Sequence, residues 1–140
     1  MNTNKILLGG IAASVTLFVL KWVVYGLLLI DYINANYNPC IMRPMQDYVM
    51  WAMIAGTLAF GFLLSLIFSW SNTTGMVKGA KVAGIIGLLY SINIDLVLYS
   101  TSTRFSNLTA VFVSIIANTA MWVIVGVVVG WVMGREKKEA

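Results

Sequence analysis

The sequence predicts an all-α integral membrane protein, a single four-helix bundle with amino and carboxyl termini in the cytoplasm. Three observations lead there. The 140 residues are 60% hydrophobic and only 10% charged, where an ordinary soluble domain carries about 25% charged residues. The apolar residues gather into four runs, at about 6–30, 48–70, 82–99 and 108–133, each close to the roughly 20 residues that a bilayer-crossing helix needs. The basic residues lie beside those runs and form no amphipathic stripe, so the net charge of +4 points to lipid headgroups and topology. The expected partner is therefore the bilayer, not nucleic acid.

The first run is read as a helix and not as a cleaved signal peptide. It exceeds the roughly 7 to 15 apolar residues of such a peptide, contains Lys21, and is followed by no small-x-small cleavage site. The connection 31–47 carries Asn34, Asn36, Asn38, Pro39 and Pro44, residue types that favour turns. Two readings of it stand, a plain tether and a lid over the outer mouth of the bundle. Cys40 is the single cysteine and the chain has no histidine, so an internal disulfide and a metal site are not expected and no cofactor is called for. Its readings are a small residue in a Pro-containing turn or a disulfide across a dimer.

The second run, 48–70, is uninterrupted. A polar, basic hairpin leads from it to the third, which Asn93 and Asp95 interrupt and Gly84 and Gly87 weaken. The third still counts as a span, because without it the flanking basic groups fall on inconsistent sides. The fourth ends in a charged stop-transfer flank. With the amino terminus inside, Lys5, Lys78, Lys81, Arg135, Lys137 and Lys138 are cytoplasmic and only Arg43 and Arg104 are external, in agreement with the positive-inside rule. The expected location is the inner (cytoplasmic) membrane, as a multi-pass protein.

Lys21 and Asp95 are the charges that need explaining. A charge near the centre of a span costs roughly 2.5 to 3.5 kcal/mol on insertion scales, so one that stays there needs a partner or a function. At helical spacing, Lys21 and Tyr25 share a stripe with Gly10 and Ser14, and Ser91 and Asp95 share one with Gly84 and Gly87. Thr57 lies with Gly61 and Ser65, and Asn118 with Ser114 and Trp122. By helical rise, Lys21, Thr57 and Asn118 lie about 15 Å from the outer ends of their helices, with Asp95 about a turn shallower. The expectation is one polar layer in the outer half of the bundle, built on a Lys21–Asp95 pair. It either fixes helix register or lines a cavity in which Asp95 exchanges a proton or ion and Lys21 tunes it.

Small residues suggest where helices approach. Gly126, Gly130 and Gly134 repeat every fourth residue, and Ala52-x-x-x-Gly56, Gly61-x-x-x-Ser65 and Ala80-x-x-x-Gly84 extend the pattern. The Gly126 run lies roughly 150° around its helix from Asn118, which leaves it free for a second copy and predicts a homo-oligomer. Met50-Trp51 and Met121-Trp122 hint at an internal duplication.

In length and helix count the chain resembles small multidrug transporters, whose first helix carries an essential glutamate; here that helix has Lys21 and no acidic residue. Gly56-Thr57-Leu58, followed by Gly61, resembles part of the fluoride channels, but the asparagine expected in that helix and the Thr/Ser/Phe-rich break expected in the third helix are absent. No site carries over from either. Over its whole length the chain is similar to uncharacterised four-helix proteins of bacterial membranes, through Gly79-Ala80-Lys81, Asp95-Leu96 and Asn107-Leu108-Thr109. That resemblance implies the fold and no activity.

The functional expectation is a small non-enzymatic membrane subunit or accessory protein that acts through helix contacts, with itself or with another membrane protein. The alternative is a small proton-, ion- or solute-conducting transporter or channel that uses the same polar cluster. A membrane enzyme is disfavoured, since there is no histidine, no metal constellation and no acidic pair on one helix.

Overall fold

The computed structural model describes residues 3–41 and 43–135. Its elements are α1 (Thr3–Val23), a π-helical turn (Val24–Leu28), α2 (Ile30–Asn36), a 3-10 turn (Met45–Asp47), α3 (Met50–Trp70), α4 (Met76–Thr101) and α5 (Leu108–Arg135). Among the described residues there is no strand, only an isolated antiparallel bridge between Tyr37 and Phe105. Thr3–Leu28, Met50–Trp70, Met76–Thr101 and Leu108–Arg135 are each long and apolar enough to cross a membrane. Their outer surfaces expose Trp22, Leu28, Ile85 and Ile116, side chains that lipid solvates well.

Helix α4 starts at Met76, earlier than the apolar run that suggested it. Lys78 and Lys81 sit in its first turns, so the basic residues that bounded the apolar run do not end the helix. Gly75 precedes it at φ +96°, a left-handed conformation that favours glycine, and donates its backbone N–H to the Gly130 carbonyl at 2.9 Å. That bond ties the α3–α4 hairpin to the last turns of α5. This end, with both chain ends, is called the terminal end below; the opposite one, with the 37–49 and 102–107 connections, is the capped end.

The bundle is two antiparallel pairs, α1 with α3 and α4 with α5, joined along α1 and α5. Small residues set each close crossing. In the first pair a Cβ on Gly61 would strike Ser14 and the Gly10 backbone, and Ser65 Oγ donates to the Ile6 carbonyl at 2.8 Å. In the second, Gly126 and Gly79 lie so close that a Cβ on either would strike the other's carbonyl, and Gly130 meets Gly75 and Gly79 in the same way. Gly134 lies beside Gly75.

The Gly126–Gly130–Gly134 ridge therefore packs inside the chain, and the expectation that it faces a second copy is corrected. The reason is a complementary row made by Gly75, just before α4, and by Gly79 and Ala83 on it, one residue out of phase with the Ala80-x-x-x-Gly84 pattern. Gly84 itself is half-buried against the Val123 side chain. Gly56 is exposed, and a Cβ there would meet nothing within 4 Å, so it packs no helix of this chain. The Met-Trp pairs are not equivalent either. Trp51, in the first turn of α3, is 75% exposed, whereas Trp122 is 7% exposed and lies mid-way along α5.

Two apolar clusters hold the bundle. One runs through its middle and includes Leu17, Leu64, Phe68, Trp122 and Val129. The other closes the capped end with Ile33, Tyr37, Phe105, Val111 and Ile115. At that end α1 does not simply stop. Leu29 N–H bonds back to the Val24 carbonyl at 2.8 Å, a π-type bond, and α2 then leads the chain over the bundle. Asn38 N–H donates to the Arg104 carbonyl at 3.0 Å and Ser106 N–H to the Asn36 carbonyl at 2.9 Å. Asn107 joins in twice: its Nδ2 donates to Asn36 Oδ1 at 3.0 Å, and its Oδ1 accepts from Ala110 N–H at 2.8 Å, capping α5. The start of the first connection, called the lid below, thus packs over this end of the bundle; Cys40, beyond the bridge, is exposed.

Candidate polar sites in the bundle

The expected single layer is two sites at different depths. The first lies under the lid. Ser91 and Asp95, one turn apart on α4, are 2% and 5% exposed, and Ser114 on α5 is 5% exposed. The Ser114 hydroxyl is the shared polar neighbour of Asp95, of Tyr25 on the π-helical turn, and of Tyr37 in the lid. Arg104 enters from the α4–α5 connection, its charge acting on Asp95 and its guanidinium carbon 5.8 Å from the Tyr37 ring centre and 5.7 Å from that of Phe105. Three buried polar atoms here have no hydrogen-bond partner: Ser91 Oγ, Asp95 Oδ2 and Arg104 Nε. Burial pushes the Tyr37 phenol above the ordinary tyrosine range, while Ser114 and the Arg104 charge draw it back.

The second site lies deeper, among the four long helices. A cavity of about 80 Å³ is lined by Leu17 and Lys21 from α1, Phe60 from α3, Tyr90 from α4, and Asn118, Met121 and Trp122 from α5. The three aromatic rings meet edge-on, with centroids 5.1 Å apart for Phe60–Tyr90, 5.8 Å for Phe60–Trp122 and 6.3 Å for Tyr90–Trp122. They bridge α3 to α4, which are not otherwise a closely packed pair. Asn118 Nδ2 reaches Ser114 Oγ at 3.5 Å, a long contact that links the two sites.

Lys21 and Asp95 are not partners. Lys21 turns into the cavity and has no hydrogen bond or ion pair among the described residues, while Asp95 sits with Ser114 and Arg104. Depth explains it: Tyr25, one turn beyond Lys21 on the same stripe, holds the place beside Asp95 expected for the lysine. Thr57 is buried, but its hydroxyl donates to the Met53 carbonyl of its own helix at 2.7 Å and joins neither site. Residues missed from the sequence were Arg104 and Tyr37, both on connections whose course no helical period encodes, and Phe60 and Tyr90, which look like ordinary lipid-facing aromatics. Among the described residues no group of three His, Cys, Asp or Glu is placed to hold a metal ion.

Fold and sites together define a class: a multi-pass helical membrane protein with two polar sites among its helices, one acted on by Arg104 of the α4–α5 connection and one lined by Lys21. No protein-family model, no curated protein and no solved structure matches the chain.

Proposed function

We propose that the protein is a small non-enzymatic subunit of the cytoplasmic membrane that works through helix contacts, beginning with a second copy of itself. The observation that carries this reading is Asn93. It is exposed within a membrane-crossing helix, about 12 Å by helical rise from the end of α4. Lipid offers its amide nothing, whereas asparagine amides join helices by hydrogen bonds across membrane interfaces. A surface suited to such a helix lies across the α3–α4 seam, where Gly56 has open space around it and Ala52, Ala55 and Ala59 are exposed. Gly56 and Asn93 both lie about one turn from the Phe60–Tyr90 contact toward the capped end, so they share a level.

The orientation proposed has the terminal end in the cytoplasm. Lys5, Lys78, Lys81 and Arg135 lie there, against Arg43 and Arg104 at the capped end; Lys137 and Lys138 lie outside the described residues. Native mass spectrometry in mild detergent tests assembly: Gly56→Leu and Asn93→Leu should each separate the copies. A wild-type protein that stays monomeric at every concentration removes the self-association reading.

A second reading, a small proton-, ion- or solute-conducting protein, draws its support from the first site. Buried acceptors without donors, Ser91 Oγ and Asp95 Oδ2, are groups that a proton or a monovalent cation would satisfy. Flux into proteoliposomes that is abolished by Asp95→Asn would favour it, and equal flux in the two proteins would count against it.

A further inference from the structure

We infer that the cavity around Lys21 is a binding site for a small monovalent anion of carboxylate size. The argument starts from charge. Asp95 is the single acidic residue within the four membrane-crossing helices, and it is held one turn away in the site under the lid, beside Ser114 and Arg104. No carboxylate of this chain within those helices is therefore available to the Lys21 ammonium. Nor do ring faces take the place of a counter-ion, since the cation–π contacts among the described residues are made by Arg104 and Arg135. An ammonium on a half-buried side chain that has gained no anion from its own chain is unfavourable among apolar helices, and a counter-ion has to come from outside the chain.

The cavity suits such a guest in size and lining. Its volume of about 80 Å³ is the share of roughly two to three water molecules, enough for a carboxylate or a halide and too little for a sugar or a phosphate ester. Lys21 offers up to three donors, and Asn118 offers an amide whose contact with Ser114, at 3.5 Å, is long. The remaining wall is Leu17, Met121 and the rings of Phe60, Tyr90 and Trp122. Ring edges carry partial positive charge, so an aromatic wall tolerates an anion presented to its edges. The Phe60–Tyr90 contact is what closes the cavity along the sparsely packed α3–α4 seam. A free anion from water and the head group of a fatty acid, whose tail leaves through that seam into lipid, present the same chemistry to Lys21.

Trp122 in the wall supplies the readout. Its fluorescence is taken as the difference between the wild-type protein and Trp122→Phe, both purified in nanodiscs. One arm titrates bromide at constant ionic strength in halide-free buffer; the other titrates a bromine-labelled fatty acid, with a bromine-labelled phosphatidylcholine as the control for general lipid contact. Saturable quenching of Trp122 is expected in at least one arm, and that arm identifies the source. Lys21→Met should weaken it about tenfold or more, as loss of a charge-assisted hydrogen bond does, while Lys21→Arg retains it. Asn118→Leu, which fills the cavity and leaves the charge, should abolish it, so the test stands even if Lys21→Met folds poorly. Quenching that is linear in both arms, or saturable to the same extent without the lysine, would overturn the inference. Neither result depends on whether the protein self-associates.

Discussion

Tyr37 and Phe105 meet edge to face, ring centroids 4.9 Å apart and planes at 73°, and their backbones form the antiparallel bridge that joins the two connections at the capped end. The consequence is that both connections behave as one cover. Arg104 stands against both rings, its guanidinium carbon 5.8 Å and 5.7 Å from their centres, and its charge acts on Asp95, so the charge balance of the site beneath depends on a contact between two loops.

Phe105→Ala is expected to cost about 3 to 5 kcal/mol, the range for truncating a buried phenylalanine. The loss should be local as well as global. Hydrogen exchange at Ile33, Asn36 and Tyr37 should accelerate well before the α4–α5 pair opens, and unchanged exchange there would show that the cover does not rest on this contact.

The α4–α5 crossing gives a contrasting pair of outcomes. Leucine at Gly79 or Gly126 puts a side chain where the neighbouring backbone already is, so these variants should fail to fold or lose thermal stability sharply. Leucine at Gly56, which has nothing within 4 Å, should leave the unfolding temperature of the single chain unchanged. Thermal unfolding in detergent separates the cases, and a folded, merely dissociated Gly126→Leu protein would contradict the packing described.

The four long helices could be read from the sequence because lipid imposes a length and a polarity that composition records directly. The polar sites could be read only in part. Spacing put Lys21 with Tyr25 and Ser91 with Asp95, since one helix fixes those relations by itself. It does not say which helix stands beside which, and charge with approximate depth alone pairs Lys21 with Asp95. Arg104 was out of reach for a different reason: it acts from a connection whose path is set by the Tyr37–Phe105 contact, which pairs residues far apart in sequence.

Double-mutant cycles test the corrected pairing. Lys21→Met and Asp95→Asn should be additive in unfolding free energy to within about 0.5 kcal/mol, as for residues that share no partner. Asp95→Asn with Arg104→Gln should show a coupling of roughly 0.5 to 3 kcal/mol. Strong coupling between Lys21 and Asp95 would restore the original pair.

Alkaline pH should loosen the cover. Burial raises the Tyr37 phenol, with Asp95 and Tyr32 adding to the rise and Ser114 and Arg104 opposing it. A phenol raised in the folded state stabilises the fold fully below the unfolded value of about 10, and that contribution disappears as pH climbs through the folded value. Stability should therefore fall above about pH 10, and Tyr37→Phe should remove that part of the decline. Tyrosinate absorbance and thermal unfolding measure it; an identical alkaline profile in the variant would assign the effect elsewhere.

The π-helical turn Val24–Leu28 works as a phase adjuster between membrane span and cover. A π turn takes up one residue more than the α turn it replaces over about the same rotation and rise, so deleting a single residue there should regularise the helix and leave α2 close to its place. Without the bulge, the same chain would carry everything beyond it about 100° further round and about 1.5 Å further on. Tyr37 would then point away from Phe105, and Arg104 would lose one of the two rings it stands against. One residue deleted within Val24–Leu28 is thus expected to be tolerated, whereas one inserted there has no slack left to absorb it and should uncouple the cover from the span while leaving membrane insertion intact.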